Sequence, residues 1–299
     1  MTRPILLDTF CCGGGASRGY DLAGFEVYGI DNDPKRLRDY PYPYLVADAM
    51  ECLIRLKQGE GLTFSDGRTL YLTDIAAIHG SPPCQGYSIM NNLPWIRSRT
   101  YPLLILPLRE LLDAIGKPYI IENVAGATSK RNLGKLGLLD HRLRAFWLCG
   151  GMFGLPIYRH RYFETNFFWA MPGHPTHRRV ISSGRMLGGR ANVDAGISTG
   201  RTADISFSPR PRGTWEQGYD ARKRSHLTER AIGTNGKEYS IGAQAVGAAV
   251  GHAAGWKVAA EAMGIDWMRR SELTQAIPPV MTEYIGKQLM AVLALKETT

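Results

Sequence analysis

The opening of the chain constrains its fold more than any other stretch. Ile5-Leu6-Leu7 is a short apolar run ending at Asp8, and Cys12-Gly13-Gly14-Gly15 follows. Ala16 to Ala23 has helical spacing, and Phe25 to Ile30 reads as a second strand ending at Asp31. Two parallel strands need a crossover between them, and a helix is the usual one. Strand, glycine turn, helix, strand and acid therefore read as the start of a doubly wound nucleotide-binding sheet.

The alternation continues. Tyr44-Leu45-Val46 precedes Asp48, and Ile75 to Ile78 precedes Gly80-Ser-Pro-Pro-Cys84. Leu103 to Ile115 is helical by spacing despite Pro107, and Tyr119-Ile120-Ile121 runs into Glu122-Asn123-Val124. This pattern predicts an α/β fold built on a doubly wound, mostly parallel sheet. Ala243 to Met263 is Ala-rich and reads as helical. Glu272 to Leu295 reads as a last helix, with Pro278-Pro279 just before its start.

Charge is unevenly spread. The chain carries a formal net charge of +9. Between Asn166 and Asn235 there are eleven Arg or Lys against five acids, so six of those nine charges sit in one stretch with few long apolar runs. A smaller basic domain facing a polyanion is expected at 166–262, with 1–165 and 263–299 forming the main domain. A disordered basic insert would have a similar composition. Trp169, Trp215 and Tyr219 read as the small core of that module rather than as stacking platforms.

The five cysteines are Cys11, Cys12, Cys52, Cys84 and Cys149. Their number is odd and no CxxC occurs, which argues against a disulfide framework or a zinc site, so no metal is expected. No apolar run is long enough to span a membrane. The first residues read as a strand rather than a signal peptide, so a reducing cytoplasm of a bacterial or phage-infected cell is expected.

Several short motifs carry chemistry. Gly13, Gly14 and Gly15 sit between a strand and a helix, where glycine lets a ligand approach the backbone and the helix start offers free amides. A tight turn without a ligand would look the same. Asp31 could accept the two hydroxyls of a ribose, or cap a helix before Pro34. Asp48 could face an adenine amino group or act as a cap. Gly80-Ser-Pro-Pro-Cys-Gln-Gly86 is the sharpest signal, because two prolines stiffen a turn that puts a thiol at the carboxyl end of a strand. Glu122 could protonate or hydrogen-bond a substrate from the same edge. Arg159 and Arg161, two apart in an extended segment, would point the same way.

Taken in order, FCCGGG, ID, PPCQG, ENV, RHR and a C-terminal IPP-helix resemble the C5-cytosine DNA methyltransferase family over residues 4 to 163 and about 264 to 290. The resemblance implies a fold that binds S-adenosylmethionine, with Phe10, Gly13, Gly14 and Gly15 bordering the cofactor. Asp31 and Asn32 would lie at its ribose, Asp48 and Ala49 at its adenine, and Pro83 and Gln275 along the same pocket. It implies Cys84 as nucleophile, Glu122 as the acid that reads the base, and Arg159 and Arg161 as the paired arginines. The expected partner is double-stranded DNA, met by a monomer, in the setting of restriction-modification. Three positions depart from the family pattern. Cys12 replaces the usual first glycine, and the turn tolerates this only if no positive φ is needed there. Ile157 replaces the usual Gln, and Gln275 replaces a common Asn.

The implied reaction is methyl transfer to carbon 5 of a flipped-out cytosine through a covalent bond between Cys84 and carbon 6. The Gln85–Tyr101 stretch would close over the base, with Ser88, Asn91, Asn92, Arg97 and Arg99 near the DNA backbone. Three rival readings differ in kind: an RNA cytosine methyltransferase, a catalytically silent DNA-binding relative, and a dinucleotide-dependent oxidoreductase. The last leaves PPCQG and ENV unexplained.

Overall fold

The computed structural model describes residues 2–87, 101–128, 144–155, 159–175, 260, 263–273 and 275–297, together with six short strands between 180 and 253. The chain forms two compact units. The first comprises residues 1–147, 161–171 and 279–299, and the second 148–160 and 172–278.

The first unit is built on a seven-stranded sheet. Its strands are β1 (Ile5–Thr9), β2 (Glu26–Asp31), β3 (Tyr44–Val46), β6 (Ile75–Gly80), β7 (Tyr119–Val124), β8 (Arg144–Cys149) and β9 (His160–Thr165), in the spatial order β3-β2-β1-β6-β7-β9-β8. The first five run parallel, and β9 is antiparallel to β7. The expected doubly wound, mostly parallel α/β sheet is present. Strand β1 lies inside the sheet, between β2 and β6, and is buried along its whole length, which is why it reads ILLDT without alternation. A small hairpin, β4 (Leu62–Thr63) and β5 (Thr69–Leu70), leads into β6.

Helices α1 (Gly15–Ala23), α2 (Ala49–Lys57) and α3 (Ile105–Ile115) form the crossovers. Pro107 is the third residue of α3, in the first turn, where the amide it lacks would have no helical partner. That placement is why the helix tolerates it. Leu7, Ile30, Leu53, Ile78, Leu108 and Ile121 belong to the main core, where the sheet meets α2 and α3.

The last helix, α5 (Pro279–Glu297), starts at the second proline of the Pro278-Pro279 pair and packs on α1. The crossing depends on glycine. A Cβ on Gly19 would stand 2.0 Å from Thr282 Oγ1 and 2.1 Å from the Pro279 carbonyl oxygen. Thr282 Oγ1 donates to the Ala16 carbonyl at 2.9 Å across the same contact. Residues 166–171 also belong to this unit. Trp169 is buried with its ring edge-on to Phe146, so it serves the core of the sheet unit and not that of the basic module. Trp215 and Tyr219 lie outside the described residues.

In the second unit, Met263, Ile265, Met268, Leu273 and Ala276 form a buried cluster around the short helix α4 (Arg270–Leu273). The expectation of a helix over 243–263 is corrected at 245–253, where β13 (Ala245–Val246), β14 (Ala248–Ala249) and β15 (His252–Ala253) are strands, while Ala260 and Met263 at its end are helical. Strands β14 and β15 pair antiparallel, and β13 pairs in parallel with β10 (Val180–Ile181). Gly247, Gly251 and Gly255 explain the misreading, because each costs a helix about 1 kcal/mol relative to alanine. Strands β11 (Arg230–Ile232) and β12 (Glu238–Ser240) make a further antiparallel pair. Among the described residues, no helix is long and apolar enough to cross a membrane.

Candidate active site

The register of the parallel strands puts the candidate groups on one edge. Thr9, Gly80 and Ile121 are register partners across β1, β6 and β7. The glycine turn follows β1, the Pro-Pro-Cys turn follows β6, and Glu122 is one residue past the shared level. Asp31 ends β2, and Asp48 follows β3 at the same ends. Ligands of open α/β sheets bind at this carboxyl edge.

The turn that carries Cys84 is pinned on both sides. The Ser81 amide donates to the Thr9 carbonyl at 3.2 Å. The Ser81 hydroxyl lies 2.7 Å from His79 Nε2, and Tyr20 Oη lies 2.8 Å from His79 Nδ1. Burial pushes the His79 pKa down to about 3, so the ring is neutral and spans the two hydroxyls as one donor and one acceptor. On the other side, Asn123 Nδ2 donates to the Pro82 carbonyl at 3.0 Å. Downstream, the Tyr87 amide donates to the Cys84 carbonyl at 3.0 Å, and the buried Tyr87 ring sends its hydroxyl oxygen to the Ile105 amide. Cys84 itself is half-buried. Burial pushes the thiols of Cys11 and Cys12 up, and that of Cys52 up to about 11, which marks them as inert packing groups.

Glu122 and Arg161 are both buried, and Arg161 Nε stands 3.0 Å from Glu122 Oε1. Strand register brings them together, since Val124 and Arg161 are partners in the antiparallel pair β7–β9. Sequence reasoning found both ends of this pair but missed Asn123. The ENV triplet marked the position; the 3.0 Å bond to Pro82 gives Asn123 its role as the residue that positions the cysteine turn.

The edge beside the glycine turn is organised by Asp31. Its Oδ2 accepts the Cys12 amide and its Oδ1 accepts the Asp33 amide, each at 2.9 Å. A carboxylate has about four acceptor positions, so two remain, the number a ribose diol needs. Asp48 caps α2, with Oδ1 accepting the Glu51 amide at 3.0 Å, and Ala49 is buried behind it. Gly14 caps α1 at φ 87°, and a Cβ there would meet the Tyr40 ring at 2.9 Å. Phe10 and Pro83 are half-buried and Asn32 is exposed at this edge.

The condition set for Cys12 is not met. Its φ is 49°, in the left-handed region that favours glycine, and Phe10 shares that region at 59°. The turn holds its shape because the Cys12 amide is fixed by Asp31 and its sulfur accepts from Arg36 Nη1 at 3.4 Å. A left-handed non-glycine residue costs about 1–2 kcal/mol. Glycine recovers part of this and loses part to its freer unfolded chain. Cys12→Gly should therefore raise stability by about 0.5–1 kcal/mol in denaturant melts; a loss would mean that the Arg36 contact outweighs the strain.

Asp8 lies under this edge, fully buried, and sequence reading gave it no role. Ser17 Oγ donates to its Oδ2, and Tyr40 Oη lies 2.8 Å from Ser17 Oγ, while Asp8 Oδ1 has no partner among the described residues. Its pKa is raised from 3.8 to about 7, mainly by burial, partly offset by the Ser17 bond and increased by the charges of Asp31 and Glu122. Both acids are thus close enough to be felt at one buried point. The folded chain keeps this proton up to about pH 7, whereas the unfolded chain loses it near pH 4. The contribution to stability is therefore full below about pH 4 and declines as pH rises towards 7. Asp8→Asn should flatten the pH dependence of the denaturation midpoint between pH 4 and 8 and stabilise the chain most at pH 8. An unchanged profile would contradict this assignment.

Arg159 and Gln275 belong to the second unit. There Arg159 Nη1 donates to the Leu273 carbonyl at 3.1 Å, and the Gln275 amide donates to the Glu272 carbonyl at 2.9 Å. Ser88, Asn91, Asn92, Arg97, Arg99 and Ile157 lie outside the described residues.

No family model matches the chain. It is 30% identical over 132 residues to Type II methyltransferase M.XorII of Xanthomonas oryzae pv. oryzae, covering 43% of this chain and 30% of that protein. It is 32% identical over 127 residues to Type II methyltransferase M.FnuDI of Fusobacterium nucleatum, covering 42% and 34%. The chain thus matches about a third of the length of each relative. A crystal structure of a prophage-encoded E. coli protein, described as a DNA modification methyltransferase, superposes with a TM-score of 0.53 at 15% identity. That superposition covers 97% of this chain and 99% of the other, and it shows that the two share a fold.

Proposed function

We propose that this chain transfers a methyl group from S-adenosylmethionine to carbon 5 of a cytosine flipped out of duplex DNA, with Cys84 bonding transiently to carbon 6. One observation carries the reading: the half-exposed Cys84 thiol at the carboxyl edge of the sheet sits on a Pro-Pro turn. That turn is fixed by Thr9, His79 and Asn123, beside the buried Glu122–Arg161 pair. Similarity to two Type II methyltransferases supports the methyl-transfer chemistry.

When bound, S-adenosylmethionine supplies an electrophilic methyl group. Asp31 fits its ribose diol by the two acceptor positions left on the carboxylate, and Gly13, Gly14, Gly15 and Phe10 border it. The remaining chemistry belongs to the chain. Carbon 5 of cytosine is a poor nucleophile until the ring's conjugation is broken. The Cys84 thiolate adds to carbon 6 and makes carbon 5 enamine-like. Glu122 shares a proton with ring nitrogen 3 and offsets the charge that the addition creates. Arg161, ion-paired to Glu122, holds that carboxyl in place and adds positive charge beside the site. Carbon 5 takes up the methyl group, a base removes its proton, and β-elimination frees Cys84. Extruding the base costs a few kcal/mol. The basic segment, which begins after Met171 rather than at 166, would meet the phosphates and read the sequence from the major groove.

Methylation of an exocyclic amino group needs no nucleophilic thiol, because that nitrogen attacks the donor directly. The product therefore separates the readings. After incubation with methyl-labelled donor and duplex DNA, nucleoside digestion should give labelled 5-methyldeoxycytidine. Label in N4-methyldeoxycytidine or N6-methyldeoxyadenosine would overturn the proposal.

A further inference from the structure

Three side chains in the second unit converge without a part in the chemistry above. Cys149 ends β8 and is buried, and a tight 3-10 turn over Gly150–Phe153 follows it. The Met152 amide donates back to the Cys149 sulfur, and the Cys149 amide lies 3.3 Å from Met152 Sδ. Two glycines, Gly150 and Gly151, allow the chain to wrap around the sulfur this closely. His160 opens β9 and is buried, while His174 is half-buried. One ligand atom from each of the three lies within 4.8 Å of the others.

The histidines approach nitrogen to nitrogen. His160 Nε2 and His174 Nε2 are 3.1 Å apart, the ring centroids are 5.2 Å apart, and the planes differ by 19°. Two imidazoles facing each other in this way share either a proton or a cation. On a tetrahedral zinc with bonds of about 2.0–2.1 Å, two nitrogens lie roughly 3.3 Å apart and their ring centroids about 5 Å apart. Both separations match. The sulfur decides between the two options, since a proton-sharing pair needs no third group, whereas a thiolate and two imidazoles are a donor set for zinc and other late transition metals rather than magnesium or calcium.

We propose that Cys149, His160 and His174 bind one zinc ion, with water in the fourth position. Spacing alone does not mark this group, because ten residues separate the cysteine from the first histidine and thirteen separate the two histidines. That spacing matches no finger or knuckle pattern, and the earlier expectation of no metal rested on such patterns. The three ligands come from β8, β9 and the segment after Met171, so a bound ion would tie three separate stretches of chain together. The Met152 amide on the sulfur supplies the kind of outer contact that orients a metal ligand.

The test uses the full-length chain without a histidine tag. Zinc alone should bind at one ion per chain and raise the melting temperature. Cobalt(II) in its place should give the intense visible bands of a tetrahedral ion and a sulfur-to-cobalt charge-transfer band in the near ultraviolet. Cys149→Ser should lose the charge-transfer band. Because Cys149 is fully buried and its variant could misfold, the half-buried His174→Ala is the second arm. It should keep the fold, weaken zinc binding at least about tenfold, and abolish the zinc-dependent rise in melting temperature. A pale octahedral cobalt spectrum without a sulfur band, or unchanged zinc affinity in His174→Ala, would overturn the site and leave a proton-sharing histidine pair.

Discussion

Cys84→Ala should abolish methyl transfer while leaving the fold intact, with a rate loss on the order of 10^4-fold or more. The size follows from the chemistry. Without a bond at carbon 6, carbon 5 keeps its aromatic electron distribution, and no other group at this edge can supply the pair of electrons. The other thiols described in the sheet unit are pushed up by burial and cannot substitute. Stability should barely change, because the turn is held by Ser81, Pro82 and Tyr87, not by the cysteine side chain. Cys84 is also half-exposed, where truncation costs about 0.5 kcal/mol or less. Initial rates with labelled donor, alongside a thermal melt, check both halves. Residual activity within tenfold of the parent would remove Cys84 from the chemistry.

The largest stability effect is expected at Glu164. Its carboxylate is fully buried and receives both Nε and Nη2 of Arg109, the latter at 2.7 Å, while Tyr162 Oη donates to the same carboxylate at 2.8 Å. Arg109 lies on α3 and Glu164 on β9, so the pair ties a crossover helix to the antiparallel strand that carries Arg161. Glu164→Ala strips a buried guanidinium of its two-pronged counter-charge. Such losses cost about 3–5 kcal/mol, a large share of the 5–15 kcal/mol that stabilises a typical domain. The melting temperature should fall by on the order of 10 °C. Replacing both partners with leucine should recover much of the loss, since a buried pair can be exchanged for apolar groups at little net cost. A single variant as stable as the parent would show that the pair is energetically idle.

These cases show what the sequence could and could not reveal. Local signals read well: the apolar run before Asp8, the turn at Cys12–Gly15, and the strand before Glu122 all lie where their spacing places them. Pro107 did no harm because it falls in a first turn. Composition misled at 245–253, where alanine suggested a helix, while Gly247 and Gly251 disfavour one and the segment forms strands instead. The left-handed φ of Cys12 was not legible, because Asp31 and Arg36, which hold it there, arrive from elsewhere in the chain. The same reason hid the 55-residue link between Arg109 and Glu164, the bond from Asn123 to Pro82, and the meeting of Cys149 with His160 and His174. Each depends on strand order, which periodicity does not encode.

The central claim is that one sulfur bonds to carbon 6 of the target base, and it can be caught in the act. Duplex DNA carrying 5-fluorocytosine, incubated with the chain and S-adenosylmethionine, blocks the final elimination because fluorine cannot leave as a proton does. A protein–DNA adduct that survives denaturation should form, peptide mapping should place it on Cys84, and Cys84→Ala should lose it. Methylation of ordinary DNA without any trapped adduct, or an adduct that persists in Cys84→Ala, would contradict the account.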